Sequence, residues 1–75
     1  MKGVNNVIGM QLRVRSNMIE PLSGKILKQR PVNNRISILT ISDEFGLQWD
    51  IRVPNRALAE IRTEIPYKGE TYKIY

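Results

Sequence analysis

The feature that most constrains the fold is an alternation of apolar and polar residues with a period of two. In residues 47–53 every odd position is apolar and every even position is polar. An extended strand places alternate side chains on opposite faces, so this segment predicts a strand with one apolar face. We expect Trp49, on that face, to pack in the core. Similar short segments recur between turn residues, which is typical of a mainly β domain.

The composition supports the same fold class. Ten Ile, six Leu and five Val stand against two Ala, an excess of β-branched residues that suits strands. A chain of 75 residues has room for one domain, which we predict to span residues 1–75. The chain has no Cys and no His, so stability must come from packing, and we predict no metal site and no cofactor.

Turn residues divide the chain into five predicted strands and one short helix. The strands are residues 7–15, 25–30, 35–42, 47–53 and 71–75, and a longer loop covers residues 16–24. Pro54 ends the fourth strand, and Asn55 is a candidate cap for a helix over residues 56–64 that Pro66 terminates. The helix therefore precedes the last strand.

This order resembles the layout of SH3-like small barrels, which have a long first loop and a helical turn before the last strand. The resemblance implies a small five-stranded SH3-like barrel. The Ala-Leu-Tyr-Asp-Tyr-like segment and the paired Trp of the signalling SH3 family are absent, so binding of proline-rich peptides is disfavoured. An OB-fold is the nearest competitor, but its helix usually lies between the third and fourth strands.

No residue pattern indicates catalysis. Asp43 and Glu44 occupy a predicted turn, Asp50 is two residues from Arg52 on one strand face, and other carboxylates fall on the predicted helix exterior. The chain has no Gly-rich phosphate-binding motif. We therefore predict a binding module with no catalytic residues.

The charge favours an acidic partner. Twelve Lys and Arg against seven Asp and Glu give a net charge of +5. Arg13 and Arg15 share the polar face of the first strand, and further basic residues surround the second hairpin. The sequence predicts a DNA- or RNA-binding sheet face formed by Arg13, Arg15, Lys25, Lys28, Arg30, Arg35 and Arg52. An equally natural interpretation is that these residues only solvate strand faces.

The alternative is a protein-interaction or inhibitor module of the kind that phages and mobile elements encode, acting on an acidic protein partner. The apolar residues of the first loop, and any edge strand left open for another chain to join, motivate it. The candidate contacts are Met18, Ile19, Leu22, Phe45 and Tyr75. A homo-oligomer is a third possibility, because a domain this small gains stability by burying a strand edge. We expect no membrane partner and a cytoplasmic location, since no apolar run is long enough to span a bilayer.

Overall fold

A computed structural model describes residues 3–17 and 20–75. The chain forms six strands and one short helix: β1 Gln11–Ser16, β2 Leu22–Pro31, β3 Ile36–Ser42, β4 Gln48–Pro54, α1 Asn55–Ala59, β5 Ile65–Tyr67 and β6 Glu70–Ile74. All neighbouring strands are antiparallel, and their order in the single sheet is β4-β3-β2-β1-β6-β5. The prediction of a mainly β fold with one short helix is confirmed.

The prediction of five strands is wrong, because a sixth strand, β5, follows the helix. Its three residues contain Pro66, whose ring and missing N–H weaken the strand signal. A tight turn joins β5 to β6, and Lys68 and Gly69 at its centre have φ of 49° and 83°. Positive φ at both central positions is the geometry that matches the twist of a hairpin.

The prediction of a barrel is also wrong, because the sheet does not close. Strands β4 and β5 are its two edges, and no ladder joins them. The chain crosses between these edges through α1, which packs against β4 and β6. The helix therefore covers the core at the place where a barrel would need strand pairing.

The core lies on one side of the sheet, which we call the inner face. Its buried side chains come from every strand, from α1 and from the segment before β1. They are Val7, Leu12, Val14, Ile26, Leu39, Ile41, Val53, Ala57, Leu58, Ile65, Tyr72 and Ile74. Burial of apolar area is the main stabilising force available to a chain that has no cysteine to form disulfides.

The helix is shorter than predicted. It ends at Ala59, because Glu60 leaves helical geometry and Arg62 has a φ of 64°. The amide of Arg62 instead donates to the carbonyl of Ile74, which ties the connection to β6. Asn55 does not cap the helix, since its side chain bonds to the Ser37 hydroxyl and to a backbone carbonyl of the β2–β3 turn. No helix among the described residues is long and apolar enough to cross a membrane.

The prediction that Trp49 is a core residue is wrong. Trp49 lies on the inner side of β4 opposite Ile41, yet 46% of it is exposed. Leu47 is 57% exposed, whereas Val53 at the other end of the strand is fully buried. Alternation identifies the side on which a residue lies, but the extent of the core along that side depends on what covers it. Here α1 covers the end of β4 near Val53.

Candidate nucleic-acid interface

The side of the sheet opposite the core, which we call the outer face, carries most of the predicted basic residues. Residues directly opposite each other in a ladder share a face, so the strand registers determine this set. Seven basic side chains project from it, and we call them the basic face: Arg13, Arg15, Lys25, Lys28, Arg30, Arg52 and Lys73. Six of the seven predicted residues therefore lie on one side of one sheet.

One end of the basic face contains an exposed aromatic ring. Arg13 lies opposite Lys73 in the β1–β6 ladder, and Tyr75 continues that ladder by bonding to Gln11. The Arg13 guanidinium carbon is 5.9 Å from the centre of the Tyr75 ring, and the Lys73 Nζ is 5.6 Å from it. Cations at this distance are attracted to the ring face. The ring is 43% exposed, so it remains accessible beside two positive charges.

A β-bulge in β2 brings two lysines to the same side. Lys25 pairs with Ser42 and Lys28 pairs with Thr40, and the register shifts between Ile26 and Lys28. In a regular strand, residues three apart point to opposite faces. The extra residue, Leu27, changes the alternation so that Lys25 and Lys28 both point outward.

The β3 and β4 end of the outer face combines basic and apolar side chains. Ile38 is half-buried and lies between Arg30 of β2 and Arg52 of β4 in directly opposed positions. No described element covers this side of the sheet, so β3 is covered on one face only. Two arginines with an aliphatic group between them can contact both a phosphate and the apolar part of a ribose or base.

Two carboxylates partly neutralise the basic face. Glu64 accepts from Arg13 at 3.4 Å and from Arg15 at 3.2 Å. Asp50 accepts from the Thr40 hydroxyl at 2.6 Å and lies 3.9 Å from Arg30. All five of these ion-paired side chains are about one third exposed or more, so solvent screens the pairs. Among the described residues Lys25, Lys28, Arg52 and Lys73 form no ion pair.

The remaining predicted site residues do not join this surface. Arg35 lies in the β2–β3 turn, outside the strands of the outer face. Leu22 is half-buried against the core, and Phe45, which is 79% exposed, lies at the tip of the β3–β4 turn. Met18 and Ile19 lie outside the described residues. Of the predicted partner contacts that the structure describes, only Tyr75 borders the basic face.

Lys73 was not among the predicted site residues, although the sequence contains a signal for it. Lys73 lies between Tyr72 and Ile74, which are buried on one face of the strand, and it shares the other face with Tyr75. The same alternation that predicts an exposed Tyr75 therefore also predicts an exposed Lys73.

A second exposed feature is the tip of the β3–β4 hairpin. Asp43 organises it: one carboxylate oxygen accepts from the amides of Phe45 and Leu47, and the other accepts from the Trp49 indole N–H at 3.1 Å. The indole hydrogen bond is the largest influence on the pKa of Asp43 and holds it below its ordinary value, with the backbone amides acting in the same direction. This network fixes the turn, and the apolar side chains of Phe45, Leu47 and Trp49 are exposed to solvent.

A hollow of about 550 Å³ lies away from the basic face, between the segment before β1, the β2–β3 turn and α1. Its lining is Gly3, Val4, Asn33, Asn34, Asn55, Arg56 and Ala59. The Asn55 side chain is already bonded to Ser37 and Asn33, and Arg56 is bonded to Glu60, so few polar groups are left for a ligand. Within the described ranges no three acidic side chains are grouped to hold a metal ion.

Comparison of the chain with protein-family models, with curated proteins and with solved structures finds no match.

Proposed function

We propose that this protein is a binding domain, not an enzyme, and that its basic face binds nucleic acid. The single observation that carries the proposal is the convergence of seven basic side chains on one uncovered side of the sheet, with an exposed Tyr75 among them. Basic side chains neutralise phosphates and release condensed counterions, which makes the affinity depend on salt. The two carboxylates on this side leave a large positive excess.

The exposed ring favours a single strand over a duplex. In a duplex the base faces are stacked on each other, whereas an unpaired base can stack on an aromatic side chain. Tyr75 is accessible and lies beside the Arg13 and Lys73 cations, which can hold the phosphates next to a stacked base. The half-buried Ile38, between Arg30 and Arg52, adds an apolar contact on the same side.

The test compares two double variants of equal charge. Arg13→Ala with Arg15→Ala removes two basic residues from the basic face, and Arg35→Ala with Arg56→Ala removes two from the turn and the helix. Binding of a labelled single-stranded oligonucleotide is measured by fluorescence anisotropy from low to moderate salt. We expect the first variant to bind more weakly, with a log–log salt slope shallower by about 1.4, at roughly 0.7 for each lost phosphate contact.

The control variant should keep the salt slope of the wild type, because its substitutions lie off the outer face. Equal losses in the two variants would show that binding follows net charge and not this surface, and the proposal would fail. The ring has its own test: Tyr75→Ala should weaken single-strand binding by about 1–3 kcal/mol and leave duplex binding nearly unchanged.

A protein-interaction or inhibitor module remains the second candidate, and one observation favours it. Phe45, Leu47 and Trp49 are 79%, 57% and 46% exposed and are neighbours at one hairpin tip. Exposed apolar clusters of this kind mark protein contacts. Substitution of Phe45 by Ser should abolish such a contact and leave oligonucleotide binding unchanged, which separates the two functions.

A further inference from the structure

The two edges of the sheet differ in a way that points to self-association. The edge strand β5 has three residues and contains Pro66, so it offers little to another strand. The opposite edge, β4, has seven residues, and Pro54 lies only at its end. An unprotected edge of this length is a template for pairing with another strand.

The β3–β4 hydrogen bonds identify the backbone groups of β4 that are free. Asn55 donates to the Arg35 carbonyl and Asp43 donates to the Leu47 carbonyl, and both pairs join odd-numbered residues. Because hydrogen-bonded pairs alternate along an antiparallel ladder, the odd residues of β4 bond to β3. The N–H and C=O groups of Gln48, Asp50 and Arg52 therefore point away from the sheet.

A second copy of β4 can pair with these groups only if even residues face even residues. Centring a two-fold axis on Asp50 would place the two Asp50 side chains opposite each other, and centring it on Arg52 would oppose two arginines. Like charges in directly opposed positions are destabilising. Centring the axis on Ile51 places Asp50 of each copy opposite Arg52 of the other, so both charge pairs are favourable.

The same register also covers exposed apolar area. The two half-buried Ile51 side chains face each other across the axis, and Trp49 of each copy lies beside Val53 of the other. These odd positions are the non-hydrogen-bonded pairs, in which side chains approach most closely. Trp49 is 46% exposed in the single chain, and this contact removes part of its surface from water.

We propose that two copies of this chain form a symmetric dimer by antiparallel pairing of β4 with β4, with Ile51 on the two-fold axis. The partner is a second copy because the edge strand complements its own charge pattern in this register. A dimer of this kind is isologous and makes one continuous sheet of twelve strands. It does not rest on the proposed nucleic-acid binding, because the backbone groups that pair lie at the edge of the sheet, but the Arg52 side chain belongs both to this edge and to the basic face.

The test exchanges the charges. Asp50→Arg and Arg52→Asp each place like charges opposite each other twice in the dimer, and each should raise the dimer dissociation constant roughly 30-fold, from the typical size of cross-strand charge pairs. Lys28→Asp is the matched control, because β2 lies in the middle of the sheet and not at an edge. It should leave the dimer dissociation constant unchanged. Sedimentation equilibrium gives the masses.

Mixing the two single variants gives the sharpest result. The Asp50→Arg chain complements the Arg52→Asp chain at both charge pairs, so the equimolar mixture should dimerise at concentrations at which each variant alone is mostly monomeric. The double variant Asp50→Arg with Arg52→Asp should dimerise like the wild type, which also controls for loss of the Thr40–Asp50 hydrogen bond. A monomeric wild type, a mixture that stays monomeric, or single variants that dimerise normally would each overturn the proposal.

Discussion

The inner and outer faces of the sheet come from the same strands, yet they differ in burial, in charge and in what covers them. Leu39 and Ile38 are neighbours in β3: the first is fully buried among apolar side chains, and the second is half-buried between two arginines. The inner face is covered by α1 and by the segment before β1, whereas no described element covers the outer face.

This difference separates stability from function. An open sheet needs only one apolar face, because antiparallel sheets can leave the other face in water. The outer face is then free to carry charge without weakening the core. We therefore expect substitutions on the inner face to change the free energy of unfolding, and substitutions on the outer face to change binding.

The largest effect tests this separation within one strand. Leu39→Ala creates a cavity in the core and should lower the free energy of unfolding by about 2–5 kcal/mol. Ile38→Ala removes a half-buried side chain from the uncovered face and should cost about 1 kcal/mol. Urea denaturation followed by circular dichroism measures both. Equal losses would show that the outer face is part of a second core.

The second largest effect on stability concerns Gly24, where the backbone of β2 lies close to the backbone of Ser42. A Cβ added at Gly24 would lie 2.5 Å from the carbonyl oxygen of Ser42, which is backbone and cannot move aside easily. Gly24→Ala should lower the free energy of unfolding by about 1–3 kcal/mol through this overpacking. Gly3→Ala is the control, since no heavy atom lies within 4 Å of its added Cβ. A Gly24 variant as stable as the Gly3 variant would contradict the packing of β2 on β3.

A smaller effect comes from the carboxylate that competes for the arginines of the outer face. Glu64→Gln frees Arg13 and Arg15 and should strengthen single-strand binding by about twofold to fivefold, in line with the modest energies of exposed ion pairs. Glu44→Gln changes the net charge equally at the β3–β4 turn. The same gain in both variants would assign the effect to net charge, and a loss in the Glu64 variant would contradict the arrangement of the basic face.

The smallest effect concerns the exposed end of the inner face. The Trp49 indole lowers the pKa of Asp43. The ionised Asp43 carboxylate therefore stabilises the fold at pH values above the ordinary carboxyl pKa, and this stabilisation is lost as the pH falls through the lowered pKa. Trp49 fluorescence, measured against pH, should therefore change with a midpoint below the ordinary pKa of an aspartate side chain. Asp43→Asn should remove this transition. A midpoint at or above the ordinary value would show that the indole hydrogen bond is absent in solution.

The two-residue alternation was sufficient to predict the fold class and the approximate position of the long strands. It did not predict β5, because three residues with a proline are too short for a periodic signal. It did not predict the open sheet, because closure depends on whether β4 and β5 meet, which is a property of twist and of the α1 crossover. Trp49 shows the same limit: its side of the strand was predicted correctly and its depth was not.

The basic face was predictable where strands are regular. Arg13 and Arg15 follow from simple alternation in β1, and Arg52 follows from the same alternation in β4. The common orientation of Lys25 and Lys28 depends on the β2 bulge, for which the sequence contains no distinct signal. The carboxylate of Glu64 lies beside this surface because the helix ends at Ala59. The helical spacing of nearby apolar residues predicts a longer helix, so this position of Glu64 was not predictable from the sequence.

We propose that nucleic acid binds to the outer face, and chemical-shift mapping distinguishes this face from every other surface of the protein. Amide and side-chain signals of isotope-labelled protein are followed while a short single-stranded oligonucleotide is added. We expect the changes to concentrate on Arg13, Lys28, Arg52, Lys73 and Tyr75, with α1 unaffected. Changes confined to α1 or to the β3–β4 turn, or an absence of changes at low salt, would contradict it.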